Sequence, residues 1–156
     1  MRWLDETDFG YYAVCPEPYL KDWDGTEADA VAGEYVGRIT LPGAVGGDVL
    51  TLGGEPLPVA YHAPTMTFVR WIAADDDRGL EDAVERAART AGWQDAGVEV
   101  TLGGRYVVLD SAARGDEVGE ADVLRLNVQP GRYRVGSLVI TPAEDTEFML
   151  ERLTRL

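Results

Sequence analysis

Apolar and polar positions alternate in short runs along this chain, and turn-forming residues break the runs every few positions. Residues 9–14 (FGYYAV) are rich in aromatics and predict a strand that ends at Pro16. Residues 18–23 predict one helical turn, closed by Asp24-Gly25. Residues 34–41 (EYVGRITL) predict a strand that stops at Pro42-Gly43. Two later segments share a tip. The run 49–52 meets Gly53-Gly54 before 57–61, and the run 98–102 meets Gly103-Gly104 before 105–109. A glycine pair between apolar runs supplies the positive φ of a two-residue turn, so both predict hairpins. Thr-Leu-Gly-Gly thus stands at 51–54 and again at 101–104, and shared hairpin chemistry accounts for the repeat as well as a duplication does.

Residues 67–73 (TFVRWIA) are apolar apart from Arg70 and the flanking Thr67, and predict a central strand. One helix is predicted by a single buried stripe, Leu80, Ala83, Val84, Ala87 and Ala91. Asp77 is placed to cap its start, Gly92 to end it, and Asp82–Arg86 and Glu85–Arg89 are acid-first i, i+4 pairs. Residues 123–128 alternate Leu124, Leu126 and Val128 inward with Arg125 and Asn127 outward. Pro130-Gly131 fits the centre of a type II turn, after which 132–140 returns with Tyr133 and Val135 inward. Residues 146–153 read both ways: Phe148 and Leu150 suit a strand, whereas Met149, Leu153 and Leu156 suit a helix. About nine short strands and one helix give a mainly β (α+β) domain. The expected architecture is an antiparallel β-sandwich or curved sheet with one packed α-helix.

Composition narrows the functions such a domain can serve. A chain of 156 residues fits one domain over 1–156. Its net charge of −14 excludes an ordinary nucleic-acid binder, because a polyanion would be repelled across the whole surface. The charge is uneven: 1–34 and 75–156 each carry −7, whereas 35–74 is neutral and reads as sheet core. One cysteine excludes a disulfide framework and one histidine a His-rich metal site. No apolar stretch is long enough to span a membrane, and the N-terminus turns acidic after four residues, so the expected compartment is the cytoplasm.

The chemistry-bearing residues are few. His62 has no second histidine and no serine elbow to work with, and reads as structural or surface. Asp75, Asp76 and Asp77 follow an apolar strand, where carboxylates could hold a cation, cap the next helix or meet a partner. Cys15 reads as a buried small hydrophobe rather than a reactive thiol. Trp71 and Trp93 read as core. Trp3 and Trp23 sit among acids, and Trp23 lies directly between Asp22 and Asp24. An exposed tryptophan ringed by acids suits an interface hot spot, and the competing reading folds the indole over the sheet edge.

Seven segments, taken in order, carry a further signal: Met1-Arg-Trp-Leu, Pro-Glu-Pro-Tyr-Leu-Lys-Asp-Trp at 16–23, Tyr35-Val-Gly-Arg-Ile, Leu-Gly-Gly-Glu-Pro-Leu-Pro at 52–58, Val-Arg-Trp-Ile-Ala-Ala-Asp at 69–75, Leu109-Asp-Ser, and Pro130-Gly-Arg-Tyr-Arg-Val. In order and spacing the chain resembles the immunity protein 21 family of bacterial polymorphic toxin systems. The resemblance implies a non-enzymatic protein without cofactor or metal that binds the toxin of a neighbouring gene and protects the producing cell. It supplies no residue-level contact motif. Charge does: a basic, nuclease-type toxin would be drawn to the acidic segments, with Asp22, Trp23, Asp24, Asp75 and Asp76 as contact candidates. The alternative is a small-molecule or sugar-binding β module, or a weak hydrolase, with a pocket near His62 and Asp110.

Overall fold

A computed structural model of the chain describes residues 1–5, 7, 10–42 and 47–156. Eight strands and one α-helix follow one another along it. The first five strands are β1 (Tyr12–Pro16), β2 (Val36–Thr40), β3 (Asp48–Leu52), β4 (Val59–His62) and β5 (Thr67–Ala73). Then come α1 (Leu80–Ala88), β6 (Gln94–Asp110), β7 (Leu124–Ile140) and β8 (Glu147–Arg155). Phe9, where the first strand was expected to begin, and Gly43, in the expected stop after β2, lie outside the described residues.

All eight strands belong to one antiparallel sheet in the order β2-β3-β1-β6-β7-β8-β5-β4. The mainly β architecture with a single packed helix is therefore as the pattern predicts. The sheet curls until one face encloses the largest buried apolar cluster, to which every strand contributes, from Tyr12 and Val14 on β1 to Leu153 on β8. Alternation sends the intervening side chains outward, where two smaller clusters form. Ala13, Cys15, Val107 and Leu109 lie under the segment after β1, and Val69, Phe148 and Leu150 lie under α1.

The curl originates at two places where the sequence signals turns. Gly103-Gly104 does not close a hairpin; it lies inside the 17-residue β6. Pro130-Gly131 likewise lies inside the 17-residue β7. The two signals face each other: Leu102 pairs with Gly131 and Gly104 with Val128, so β7 carries one extra residue at this point. Such a bulge bends a strand pair and sharpens its twist. Glycine is favoured here on two grounds. Gly104 has a left-handed φ of 93°, and a Cβ on Gly103 would stand 3.1 Å from the Pro130 Cα. Two expected hairpins are thus one long ribbon bent in the middle, with Leu124, Leu126, Val128, Tyr133 and Val135 inward as the alternation predicts.

Gly53-Gly54 does not join a hairpin either. β3 pairs with β1 and β2, whereas β4 pairs with β5 at the far end of the strand order. Residues 53–58 instead carry the chain across the mouth of the curled sheet. The segment 146–153, open between helix and strand, is strand β8, because its pairing with both β5 and β7 outweighs local propensity.

The predicted helix forms with Leu80, Ala83, Val84 and Ala87 of its stripe buried, but it ends at Ala88 with Arg89 as its C-cap, so Ala91 is exposed beyond it and Gly92 does not end it. Its start is not capped by Asp77. The N-cap is Gly79, in a left-handed conformation (φ 74°), and the Asp77 carboxylate instead accepts a hydrogen bond from Trp3 Nε1 (3.0 Å). Neither expected i, i+4 pair closes on α1; Glu85 faces His62 at 3.6 Å.

Candidate partner-binding surface

Pro16 and Pro18 favour a tight departure from β1, and the chain makes a 3-10 turn over Glu17–Asp22. This turn brings Trp23 back over the apolar outer face of β1 and β6. The indole is 1% exposed among Ala13, Cys15, Val107, Leu109 and Val123. Its Nε1–H donates to the Ser111 carbonyl (3.1 Å), and its own carbonyl accepts from Gly115 N (2.8 Å). The expectation of an exposed, acid-ringed Trp23 is thus corrected. An apolar outer face needed cover, and this position satisfies both the ring and its polar handle.

Asp22 and Asp24 flank the buried ring and are exposed. Asp24 is held in place: its Oδ1 accepts from Thr26 Oγ1 (2.6 Å) and Thr26 N (2.9 Å). The Thr26 hydroxyl is the main reason its carboxyl lies below the usual carboxylate range. The Glu27 carboxylate accepts from the backbone N–H groups of Asp24, Gly25 and Thr26, which fixes the loop further.

Asp75 and Asp76 follow β5 and are also exposed. Asp76 accepts from Arg78 N (3.0 Å) and pairs with its guanidinium at 3.6 Å, a solvated contact of little energetic weight. The structure therefore brings Asp22 near Asp24 and Asp75 near Asp76, but it sets the two pairs beside different outer clusters of the curled sheet. Asp77 is turned inward, toward Trp3 and the N-terminal amine.

The pocket of the alternative reading is not assembled. His62 is buried on β4, with Nδ1 hydrogen-bonded to Thr65 Oγ1 (2.7 Å) and Nε2 beside Glu85. Asp110 lies at the end of β6 and lines an open cavity of about 570 Å³ with Leu4, Thr7, Tyr12 and residues of the 112–122 loop, not with His62. Among the described residues, no three His, Cys, Asp or Glu side chains are grouped to hold a metal ion. Cys15 is fully buried and its thiol is pushed up to about 12, first by burial and then by Glu27. No helix among the described residues is long and apolar enough to cross a membrane.

The residues that sequence reasoning misses sit at the mouth crossed by 53–58. Arg70 and Glu151 are both 0% exposed and 3.3 Å apart. Arg70 Nη1 also donates to the Gly53 carbonyl (2.8 Å) and Nη2 to the Glu55 carbonyl (2.9 Å). Burial pushes the Glu151 carboxyl up, against the pull of the guanidinium. A signal existed: a lone Arg in an apolar strand requires a counter-charge, and Glu151 is the acid embedded in the apolar run 148–153. Two segments that carry the family resemblance, 52–58 and 69–75, meet through this arginine.

No curated protein and no solved structure matches the chain. The family model of immunity protein 21 matches residues 2–146, nearly the whole sequence. The chain belongs to the immunity protein 21 family.

Proposed function

We propose that this protein binds a cognate bacterial toxin by direct protein–protein contact and neutralises it in the cytoplasm of the producing cell, without catalysis or cofactor. The observation that carries the reading is the family match over 2–146. Net charge supports the finer statement that the toxin is basic, of the nuclease type. A surface field set by −14 accelerates encounter with a cationic partner and disfavours nucleic acid. Asp22 and Asp24 on one face, and Asp75 and Asp76 on the other, are the contact candidates that remain exposed, with Trp23 holding the first pair in place from beneath.

Capture of partners by the tagged protein from its own source cells, with identification by mass, tests this reading. One stoichiometric partner is expected, with a basic domain whose expression alone arrests growth and whose co-expression with this chain does not. A captured small ligand in place of a protein, or a partner whose toxicity is unaffected by co-expression, overturns it.

A further inference from the structure

Among the residues of the sequence, Trp3 and Trp23 offer an exposed aromatic ringed by acids, against an indole folded over the sheet edge. The structure puts that arrangement elsewhere. Tyr35, just before β2, is 51% exposed, the most exposed aromatic side chain among the described residues. Glu34 precedes it in sequence and Glu55 follows Gly54, on which the ring lies; of the charges that act on its phenol, Arg70 comes first, and Glu151 and Glu55 oppose it. The Glu34 and Glu55 carboxylates are exposed, and among the described residues no cation pairs with either.

The platform under this ring is rigid. Gly53 N donates to the Tyr35 carbonyl (2.7 Å). The Tyr35 ring lies on Gly54, where a Cβ would come within 2.7 Å of Cε2. The Tyr11 ring covers Gly53 in the same way, with a Cβ there falling 2.5 Å from Cε1, and the Tyr11 hydroxyl accepts from Gly33 N (2.7 Å). The glycine pair that looked like a hairpin tip is thus a slot between two tyrosines. From inside the sheet, Arg70 holds the carbonyls on both sides of Gly54. That anchor is expensive: Arg70 Nε and Glu151 Oε2 are buried without hydrogen-bond partners. A buried ion pair is a poor source of stability compared with apolar packing, so its use here fits a surface loop whose shape matters.

We infer that Tyr35, Glu34 and Glu55 form a preorganised contact platform for an arginine- or lysine-bearing segment of the protein partner. This rests on the toxin-binding reading above and adds the residues and chemistry of recognition. The open ring face attracts a cation through its quadrupole, and the two unpaired carboxylates supply the counter-charge. Because the loop is already held, little ordering entropy is lost on contact. Acids alone do not distinguish this place from the loops at 22–24 and 75–77; the exposed aromatic face does, since Trp23 is buried and Trp3, held by Asp77, is half-buried against Trp71 and Phe148.

The test uses a hexa-arginine peptide titrated into the isotope-labelled full chain at physiological salt, with backbone amides followed by NMR. The first shifts to saturate are expected at residues 33–36 and 53–55. Tyr35→Ala is expected to weaken this phase at least about tenfold, whereas Tyr35→Phe, which keeps the ring, leaves it within about twofold. The unperturbed amide pattern of each variant reports an intact fold. Shifts spread evenly over the acidic loops, or a phase indifferent to Tyr35→Ala, overturn the inference. If that happens while the wild-type chain still captures and neutralises its toxin, the platform falls and the immunity reading stands. A platform that behaves as expected without any toxin captured gives the reverse.

Discussion

Arg70 stands in a strand whose neighbours Phe68, Val69 and Trp71 are aromatic or aliphatic, and Glu151, two backbone carbonyls and the Tyr12 ring, 5.8 Å from the guanidinium, make its burial tolerable. Removing one partner leaves the other charge stranded. Arg70→Met alone is expected to cost about 3–5 kcal/mol in urea unfolding, whereas Arg70→Met with Glu151→Leu recovers most of that loss. A double variant as unstable as the single one would show that the carbonyl bonds, not the ion pair, carry the stability. Cys15 makes a different prediction. Its thiol is raised from 9.0 to about 12, so the folded protein keeps a proton that the unfolded chain gives up. The associated stability is fully present below pH 9.0 and declines as pH rises from there toward about 12. Tyr61, half-buried beside Phe68 and raised from 10.0 to about 12, adds to the same decline. Unfolding midpoints between pH 8 and 11 measure the slope, which Cys15→Ala flattens. In the native state the thiol is expected to stay silent to a thiol reagent until denaturant is added.

The elements show which physics a sequence displays openly. β5 falls on the expected residues, and α1 presents the expected buried stripe as far as Ala87, because burial on one face imposes a period that composition records. The inward set on β7 is legible for the same reason. Turn signals are less specific, since a glycine pair reports only that the backbone needs φ > 0 or lacks room for a Cβ. At 103–104 that requirement is a bend opposite Pro130-Gly131, and at 53–54 it is a slot for two tyrosines. Strand order is not written locally at all, so neither was the platform at Tyr35, which is assembled from the starts of β1 and β2 and the end of β3. The exposed reading of Trp23 fails because its indole packs on the apolar outer face of β1 and β6 while the adjacent Asp22 and Asp24 stay exposed. The bend yields a prediction: Gly104→Ala, at φ 93°, is expected to destabilise the fold by about 1–3 kcal/mol in chemical denaturation. Trp23→Ala, which empties a fully covered site, is expected to cost about 3–5 kcal/mol by the same measure.

At the scale of the whole molecule the charge is the dominant fact, and its distribution decides what it can do. The neutral stretch 35–74 supplies strands β2 to β5, while the two flanking stretches carry −7 each. Much of this charge is not locally neutralised: Asp22, Asp75, Glu34 and Glu55 are exposed and make no ion pair among the described residues, and the pairs of Arg125 and Arg132 with glutamates lie in solvent, where they contribute little. An acidic field of this kind acts at long range, before any specific contact forms, and is screened over about 8 Å at physiological salt. Its effect therefore belongs to the association rate rather than to the lifetime of the complex. For binding to the captured toxin, the association rate constant is expected to fall at least about tenfold between low and physiological ionic strength, with the dissociation rate nearly constant. Substitutions separate the two kinds of contribution. Asp75→Asn with Asp76→Asn, on a loop without an exposed aromatic ring, should slow association and reduce its salt slope while leaving dissociation unchanged. Tyr35→Ala should speed dissociation and leave the slope alone. Stopped-flow mixing over a salt series measures both. An association rate indifferent to salt would mean that the acidity serves solubility and that toxin recognition depends on short-range contacts alone.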